Sequence, residues 1–152
     1  MKKLTLSFPL LLSLSLFAMA AGEKKAEPPA DFKVYWSQFR KAVHENEKEA
    51  VASLTNFPFK TRGEMDDDPV LTHDRKAFLA MIEEMLAEDS GSAKNPATMR
   101  ELIEKTTSIP ERAWGDGGRT VRIGNFIFEN INKKWLFSYA YTTVAETEKG
   151  KP

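Results

Sequence analysis

Apolar side chains recur at every third or fourth position early in the chain and predict an amphipathic helix. The stripe comprises Phe32, Tyr35, Trp36, Phe39, Ala42 and Val43. This spacing places all six on one face of a helix, with polar residues on the other. We expect Asp31 to cap the helix and the charged stretch 44–48 to end it. A short second helix, capped by Asn46, should follow.

The middle of the chain mixes strand-like and helical patterns. Residues 57–65 predict a first strand, and Pro58 confines it to an edge or to the strand's first residues. Three acids followed by proline, at 66–69, predict a turn. The expected caps are Thr72 or Asp74 for a third helix and Thr98 for a short fourth helix.

The last third of the chain has the pattern of β-strands. Two β-rich runs, 119–129 and 134–143, are joined by the short segment Asn-Ile-Asn-Lys at 130–133, which predicts a hairpin. Alternation in the second run places four aromatic residues on one face and four smaller residues on the other. The aromatic set is Trp135, Phe137, Tyr139 and Tyr141, and the opposite set is Leu136, Ser138, Ala140 and Thr142. The predicted class is therefore α+β, with N-terminal helices packed on a curved antiparallel sheet.

Two segments resemble those of a known superfamily. The stretch FKVYWSQFRKAVHENEKEAVASLTNFPF, at 32–59, and the ending GNFIFENINKKWLFSYAYTT, at 124–143, are similar to the opening helices and the last hairpin of NTF2-like (cystatin-like cone) domains. The resemblance covers roughly residues 31–65 and 119–143. It implies a cone-shaped α+β domain. The superfamily includes isomerase-like enzymes, cyclases, scaffold proteins and small exported bacterial proteins, so the resemblance does not select a function.

The first twenty residues have the pattern of a cleavable signal peptide. Lys2 and Lys3 precede an apolar stretch over 4–17, and Ala18 and Ala20 provide a small-x-small cleavage site. The apolar stretch is shorter than the ~20 residues of a membrane span. We expect a periplasmic or secreted protein cleaved near Ala20, without a membrane anchor. The expected remainder is a disordered leader at 21–30, one domain at 31–145 and a disordered tail at 146–152.

Composition narrows the range of functions. The chain has no cysteine, which excludes disulfides, thiolate catalysis and cysteine-ligated metals. Lys2 and Lys3 are the only charges in the predicted signal peptide, so the remaining chain has a net charge of −2. Nucleic-acid binding needs a concentrated positive field, and we expect no nucleic-acid partner.

Candidate metal-binding and proton-transferring residues are few. The densest cluster of oxygen and nitrogen ligands is Asp66, Asp67, Asp68, His73 and Asp74. It lacks the spacing of a calcium-binding loop, and a solvated acidic turn is the favoured interpretation. We expect no metal and no cofactor. His44 and His73 have no neighbour at a spacing typical of a catalytic unit.

An enzyme of the resembled superfamily would need a buried carboxylate acting as a general base. The polar residues on the predicted strands are Arg62, Glu64, Arg122, Asn125 and Glu129. Glu64 and Glu129, the acids among them, fall at strand ends close to solvent. An acid–tyrosine pair of the ketosteroid-isomerase kind has no counterpart in the sequence, and we assign no catalytic residue.

Five residues are the binding candidates: Trp114, Trp135, Tyr139, Tyr141 and Arg62. The aromatic strand residues either line a pocket for an apolar ligand or, as we favour, are covered by the first helix. Trp114 lies in a glycine-rich segment, where it either contacts a partner or packs on the sheet edge.

These observations favour an exported binding or interaction module. Its expected partner is a small apolar ligand or a protein, and we expect a monomer or weak homodimer. The alternatives are a small isomerase-, cyclase- or hydratase-type enzyme using a cavity carboxylate, and an inhibitor or immunity protein directed against an exported toxin.

Overall fold

A computed structural model describes residues 29–91 and 97–144. The predicted signal peptide, most of the predicted leader and the predicted tail lie outside these residues. The helices are α1 (Ala30–His44), α2 (Lys48–Ser53), α3 (Arg75–Ala87) and α4 (Met99–Lys105). The strands are β1 (Thr55–Arg62), β2 (Leu71–His73), β3 (Trp114–Gly115), β4 (Thr120–Ile123), β5 (Phe126–Ile131) and β6 (Lys134–Tyr141).

The six strands form one sheet in the order β2-β1-β6-β5-β4-β3. β1 runs parallel to β6, whereas all other neighbours are antiparallel. The helices pack on one face of this curved sheet, so the predicted α+β class is confirmed. The parallel pair brings the first strand against the last, which makes the sheet mixed.

The aromatic stripe of α1 covers the final hairpin, as the hydrophobic pattern predicts. The Phe39 ring lies 5.0 Å from that of Phe128 and 5.5 Å from that of Phe137. Phe137 also contacts the rings of Phe59 and Phe126, at 4.7 Å and 4.5 Å. All five side chains are fully buried, so these rings fill the space between helices and sheet.

Helix starts agree with the predicted caps in the second half of the chain. Asp74 Oδ1 accepts a hydrogen bond from the Ala77 amide at 2.8 Å, and Thr98 Oγ1 accepts one from the Glu101 amide at 3.2 Å. The prediction for α1 is wrong, because the helix begins at Ala30 after Pro29. The Asp31 carboxylate instead accepts a hydrogen bond from Trp135 Nε1 at 3.2 Å, which links the helix to the hairpin.

The prediction that Asn46 caps α2 is wrong, because this helix begins after Glu47 with no side-chain cap. Pro58 lies in the first half of β1, before residues 59–61, which pair with β2. The strand as a whole is not at an edge, because it has neighbours on both sides. The strand tolerates Pro58 because its register with β6 shifts between Thr55 and Lys60, which removes the regular ladder there.

The C-terminal sheet contains one more turn than the sequence pattern predicts. The run 119–129 divides into β4 and β5 around Gly124. Gly124 has a φ of +55°, and a Cβ there would lie 2.7 Å from Met99 Sδ. The turn therefore needs glycine both for its backbone conformation and for the close approach of α4. In the predicted hairpin, Asn132 and Lys133 both have positive φ, as in the type I′ turns that suit twisted strands.

Candidate functional site

A β-bulge in β6 decides which aromatic residues face solvent. Phe137 pairs with Phe128, whereas Tyr139 pairs with Ile127, so Ser138 is an extra residue between two regular pairs. A bulge of one residue reverses the side-chain alternation beyond it. Trp135 and Phe137 therefore face the helices, whereas Tyr139 and Tyr141 face the opposite side of the sheet. The prediction that all four aromatic residues share a face is wrong for this reason.

The predicted binding residue Trp135 lies in the core. Its side chain is 5% exposed, and its ring centroid is 4.7 Å from that of Phe32. Its indole nitrogen donates a hydrogen bond to the Asp31 carboxylate. This placement leaves little surface for a ligand. Trp135 therefore fastens the start of α1 to the sheet.

Trp114 lies on the short edge strand β3 and packs back onto the protein. Its ring is half-buried and contacts Phe32 at 5.1 Å and Trp135 at 5.8 Å. Its indole nitrogen is buried and has no hydrogen-bond partner within the described residues. The glycine-rich segment beside it borders a surface cleft of about 600 Å³. Of the two alternatives, the contacts are those of an aromatic lid on the sheet edge.

The remaining predicted residues lie together on the side of the sheet opposite the helices. Six residues define what we term the tyrosine face: Lys60, Arg62, Arg122, Ile127, Tyr139 and Tyr141. Strand pairing places Arg122, Ile127, Tyr139 and Lys60 in one row across four strands, and Arg62 beside Tyr141. Arg62 of β1 and Arg122 of β4 lie on opposite sides of the two tyrosines of β6.

The two tyrosines and two arginines form a continuous chain of contacts. The ring centroids of Tyr139 and Tyr141 are 5.2 Å apart in an edge-to-face arrangement. The Arg122 guanidinium lies 4.7 Å from the centre of the Tyr141 ring, within the range of a cation–π interaction. The Arg62 side chain lies close to the Tyr139 hydroxyl and lowers its pKa through charge and hydrogen bonding. Arg62 Nε also donates to the Asp68 carbonyl at 2.9 Å, which ties the loop after β1 to this face.

The surroundings of Tyr139 raise the pKa of its hydroxyl. Desolvation in this arrangement raises the pKa of Tyr139, and the adjacent Tyr141 raises it further, whereas the Arg62 charge and hydrogen bond oppose the shift. The hydroxyl is therefore neutral at physiological pH and can accept the bond from Arg62 while donating to a ligand.

A shallow groove of about 370 Å³ lies on the tyrosine face. Lys60, Val70, Ile127, Glu129, Tyr139 and Tyr141 contribute to its walls. Its volume is within the range of small-ligand sites, but it is open to solvent. Lys60, Arg62 and Arg122 form no ion pair within 29–91 and 97–144.

The candidate acids and histidines do not assemble into a catalytic arrangement. Glu64 is exposed, and Glu129 lies half-buried in the open groove. His44 is exposed, with Nδ1 3.5 Å from a Glu104 carboxylate oxygen. His73 Nε2 lies 2.7 Å from Thr61 Oγ1. A buried general base next to a tyrosine hydroxyl is not found among the described residues.

The acidic turn is organised by its own backbone. Asp68 Oδ2 accepts a hydrogen bond from the Met65 amide at 2.8 Å, and Asp74 caps α3. Within the described ranges, no group of three or more histidine, aspartate or glutamate side chains is placed to hold a metal ion.

Sequence reasoning identified Arg62, Tyr139 and Tyr141 but not their full setting. Lys60 was missed, although it lies two residues before Arg62 and so on the same face of β1. Arg122 was noted only as a polar strand residue. Lys60 and Arg122 lie on the same face as the two tyrosines only because β1 pairs in parallel with β6 and because β6 has a bulge.

None of the helices described between residues 29 and 144 has the length and apolar character needed to cross a bilayer. Comparison of the chain with family models, with curated proteins and with solved structures found no match.

Proposed function

We propose that this protein is an exported, non-enzymatic binding module whose binding surface is the tyrosine face. The observation that carries the proposal is the bulge at Ser138, which turns Tyr139 and Tyr141 out of the core and places them between Arg62 and Arg122. A strand built only for packing would keep these large side chains on the helix side, where Trp135 and Phe137 lie.

The residue types on this face suit recognition. Tyrosine and arginine are enriched at the energetic centres of protein interfaces, because each combines apolar area with polar groups. Here the hydrogen bond from Arg62 to the Asp68 carbonyl and the contact of Arg122 with Tyr141 hold the arginine side chains in place before binding. Such preorganisation lowers the entropy lost when a complex forms.

The interior supports binding on the surface rather than catalysis inside. Phenylalanine rings occupy the space between the helices and the sheet. A cavity carboxylate would need that space. Glu129, which shares the groove with both tyrosines, is open to water and is not enclosed in a cavity as the general base of such an enzyme would be.

Export and relationship to NTF2-like domains are further parts of the proposal. Export is supported by the basic, apolar and small-residue pattern of residues 1–20. The relationship is supported by the aromatic opening helix packed on the closing hairpin.

Ligand mapping by NMR tests the binding surface. The purified, isotope-labelled protein is screened with apolar fragments and short peptides, and backbone shifts are followed. We expect shifts to cluster at 60–62, 122–127 and 139–141, and the double substitution Tyr139→Ser, Tyr141→Ser to weaken binding at least about tenfold. The control is Trp114→Phe, at a half-buried aromatic position whose ring packs on the helix side against Phe32. Shifts that cluster around Trp114 instead, with the double variant binding normally, would show that the surface is wrongly assigned.

A further inference from the structure

The tyrosine face carries more positive than negative charge. Lys60, Arg62 and Arg122 contribute three cations without ion-pair partners in the described part of the chain, and Glu129 is the acid on the same side of the sheet. The acids of 64–68 lie in the adjoining loop, which contacts Arg62 through the Asp68 carbonyl. On the strands themselves, three cations therefore face one acid, Glu129 of β5.

Arg122 is prepared to accept a carboxylate. Its Nε donates to the Gly124 carbonyl at 3.0 Å, and its guanidinium lies over the Tyr141 ring. These two contacts fix the plane of the guanidinium, and its terminal N–H groups have no hydrogen-bond partner among the described residues. A planar fork of N–H donors matches the two oxygens of a carboxylate. Arg62, by contrast, already donates to the Asp68 carbonyl and lies close to the Tyr139 hydroxyl.

Apolar side chains lie at the other side of the face. Of the three large apolar side chains that are exposed in the described residues, Met65 and Val70 lie in the loop between β1 and β2. Val70 is 52% exposed and lines the groove with Tyr139 and Tyr141. Apolar surface flanking an arginine–tyrosine row is typical of a protein-binding surface.

We propose that the tyrosine face binds an acidic segment of a partner protein, with a carboxylate on Arg122 and an apolar side chain against Tyr139, Tyr141 and Val70. This inference rests on the proposed function and adds the chemistry of the partner. A second copy of the chain fits less well, because a two-fold contact places the same patch on both sides, and three cations with one acid give both patches a net charge of the same sign. Phosphate-rich nucleic acid fits less well, because one fork-shaped guanidinium beside apolar side chains suits a single carboxylate with an apolar neighbour rather than a continuous line of phosphates.

Binding of designed peptides tests the inference. Three fluorescein-labelled peptides of about ten residues share alternating leucine and phenylalanine and differ in the intervening residue, which is glutamate, glutamine or lysine. Anisotropy titrations with the purified protein should give a Kd for the glutamate peptide at least about tenfold lower than for the glutamine peptide. Raising salt from about 20 to about 200 mM should remove most of this difference by screening.

Single substitutions test which arginine binds the carboxylates of the glutamate peptide. Arg122→Gln should weaken the glutamate peptide about tenfold and leave the glutamine peptide within about twofold, because it removes charge but keeps the apolar surface. Arg62→Gln should have a smaller effect. The matched control is Arg75→Gln, an exposed arginine on α3 that is paired with Glu49, and it should change neither Kd.

The outcomes separate the inference from the proposed function. Equal affinity for the glutamate and glutamine peptides, with both lost in Tyr139→Ser, Tyr141→Ser, would retain the binding surface but overturn an acidic partner. Preference for the lysine peptide, or no effect of Arg122→Gln, would also overturn it. If none of the peptides binds, the inference fails, whereas the fragment and peptide screen still decides the proposed function. A single-stranded oligonucleotide that binds more tightly than every peptide would reassign the face to nucleic acid.

Discussion

Individual side chains in this protein differ in role according to which side of the sheet they reach. Trp135 and Tyr139 lie four residues apart in one strand, yet one fastens α1 through Asp31 and the other contacts Arg62 at the surface. Their chemistry is similar, since both combine a ring with one polar group. Their partners and their exposure separate them.

Tyr35 gives a prediction for the alkaline range. Burial raises the pKa of Tyr35 well above its usual value, and its hydroxyl donates to the Leu54 carbonyl at 3.0 Å. Above pH 10 the unfolded chain releases this proton while the folded protein keeps it, so stability falls as pH rises, by about 1.4 kcal/mol per pH unit for this group. Tyr35→Phe should cost about 1 kcal/mol near pH 7 from the lost hydrogen bond.

The expected signature is therefore a difference that shrinks with pH. Urea unfolding at pH 7 and at several values above 10 should show Tyr35→Phe approaching and then exceeding the native protein in stability. Parallel curves at all pH values would contradict the assigned burial of this hydroxyl.

At the scale of elements, helix ends are joined by arginine side chains. Arg40 of α1 donates to the carbonyls of Ile103 and Glu104 near the end of α4, with Nε 3.1 Å from the Ile103 oxygen. Carbonyls in the last turn of a helix lack partners within the helix. The arginine satisfies them and holds α1 against α4.

Arg40→Gln should therefore be costly for a half-exposed position. We expect a loss of about 1.5–3 kcal/mol, since hydrogen bonds to charged groups are stronger than neutral ones. Arg75→Gln, which breaks an exposed ion pair with Glu49, should cost at most about 1 kcal/mol. Chemical denaturation of both variants makes the comparison, and equal losses would show that the Arg40 contacts do not stabilise the helix pair.

The β4–β5 turn gives a second element-scale prediction. Gly124→Ala combines positive φ with a Cβ that would lie 2.7 Å from Met99 Sδ and 2.8 Å from Leu102 Cδ2. Gly118→Ala also has positive φ, at +85°, but nothing lies within 4 Å of its Cβ. The first should cost about 2–3 kcal/mol and the second about 1 kcal/mol. Thermal unfolding of the two variants measures the part due to crowding against α4, and similar shifts would mean that α4 yields without cost.

At the scale of the whole molecule, the charges of the tyrosine face affect whether two copies associate. The pattern of the N-terminal residues predicts where in the cell the protein is found. The strands of the tyrosine face carry three cations and one acid, so two copies that met through this face would carry net charge of the same sign. The described helices lie on the opposite side of the sheet and leave this face open. We propose this face as the surface for a partner different from the chain itself.

Sedimentation tests the oligomeric state. We expect the purified protein to sediment as a monomer, with at most weak dimerisation at high concentration, because the cations of the tyrosine face resist self-association at low salt. A dimer that persists on dilution would contradict this expectation.

Export is tested by expression of the full chain in a bacterium. The product recovered outside the cytoplasm should begin at Ala21, as measured by intact mass, because Ala18 and Ala20 fit the small-residue cleavage site. Ala20→Phe should retain the precursor. Full-length protein in the cytoplasm for both forms would refute the signal-peptide assignment.

The local features of this fold could be predicted from the sequence. The stripe from Phe32 to Val43, the caps Asp74 and Thr98 and the turn at Asn132 follow from residues within one or two turns of chain, where periodicity and capping chemistry act directly. The α+β class follows too, because an aromatic helix face and an aromatic hairpin must bury each other. The candidate residues Arg62, Tyr139 and Tyr141 could also be named from residue type.

Only the tertiary structure decided which of these residues lie together on the tyrosine face. The parallel pairing of β1 with β6 joins residues about eighty positions apart, and no local pattern records it. The extra residue at Ser138 reverses the alternation that sequence periodicity assumes, and it appears only once both strands are paired. Residue types and helical periods are properties of the chain, whereas register is a property of two strands in contact, and that register places Tyr139 and Tyr141 on the outside.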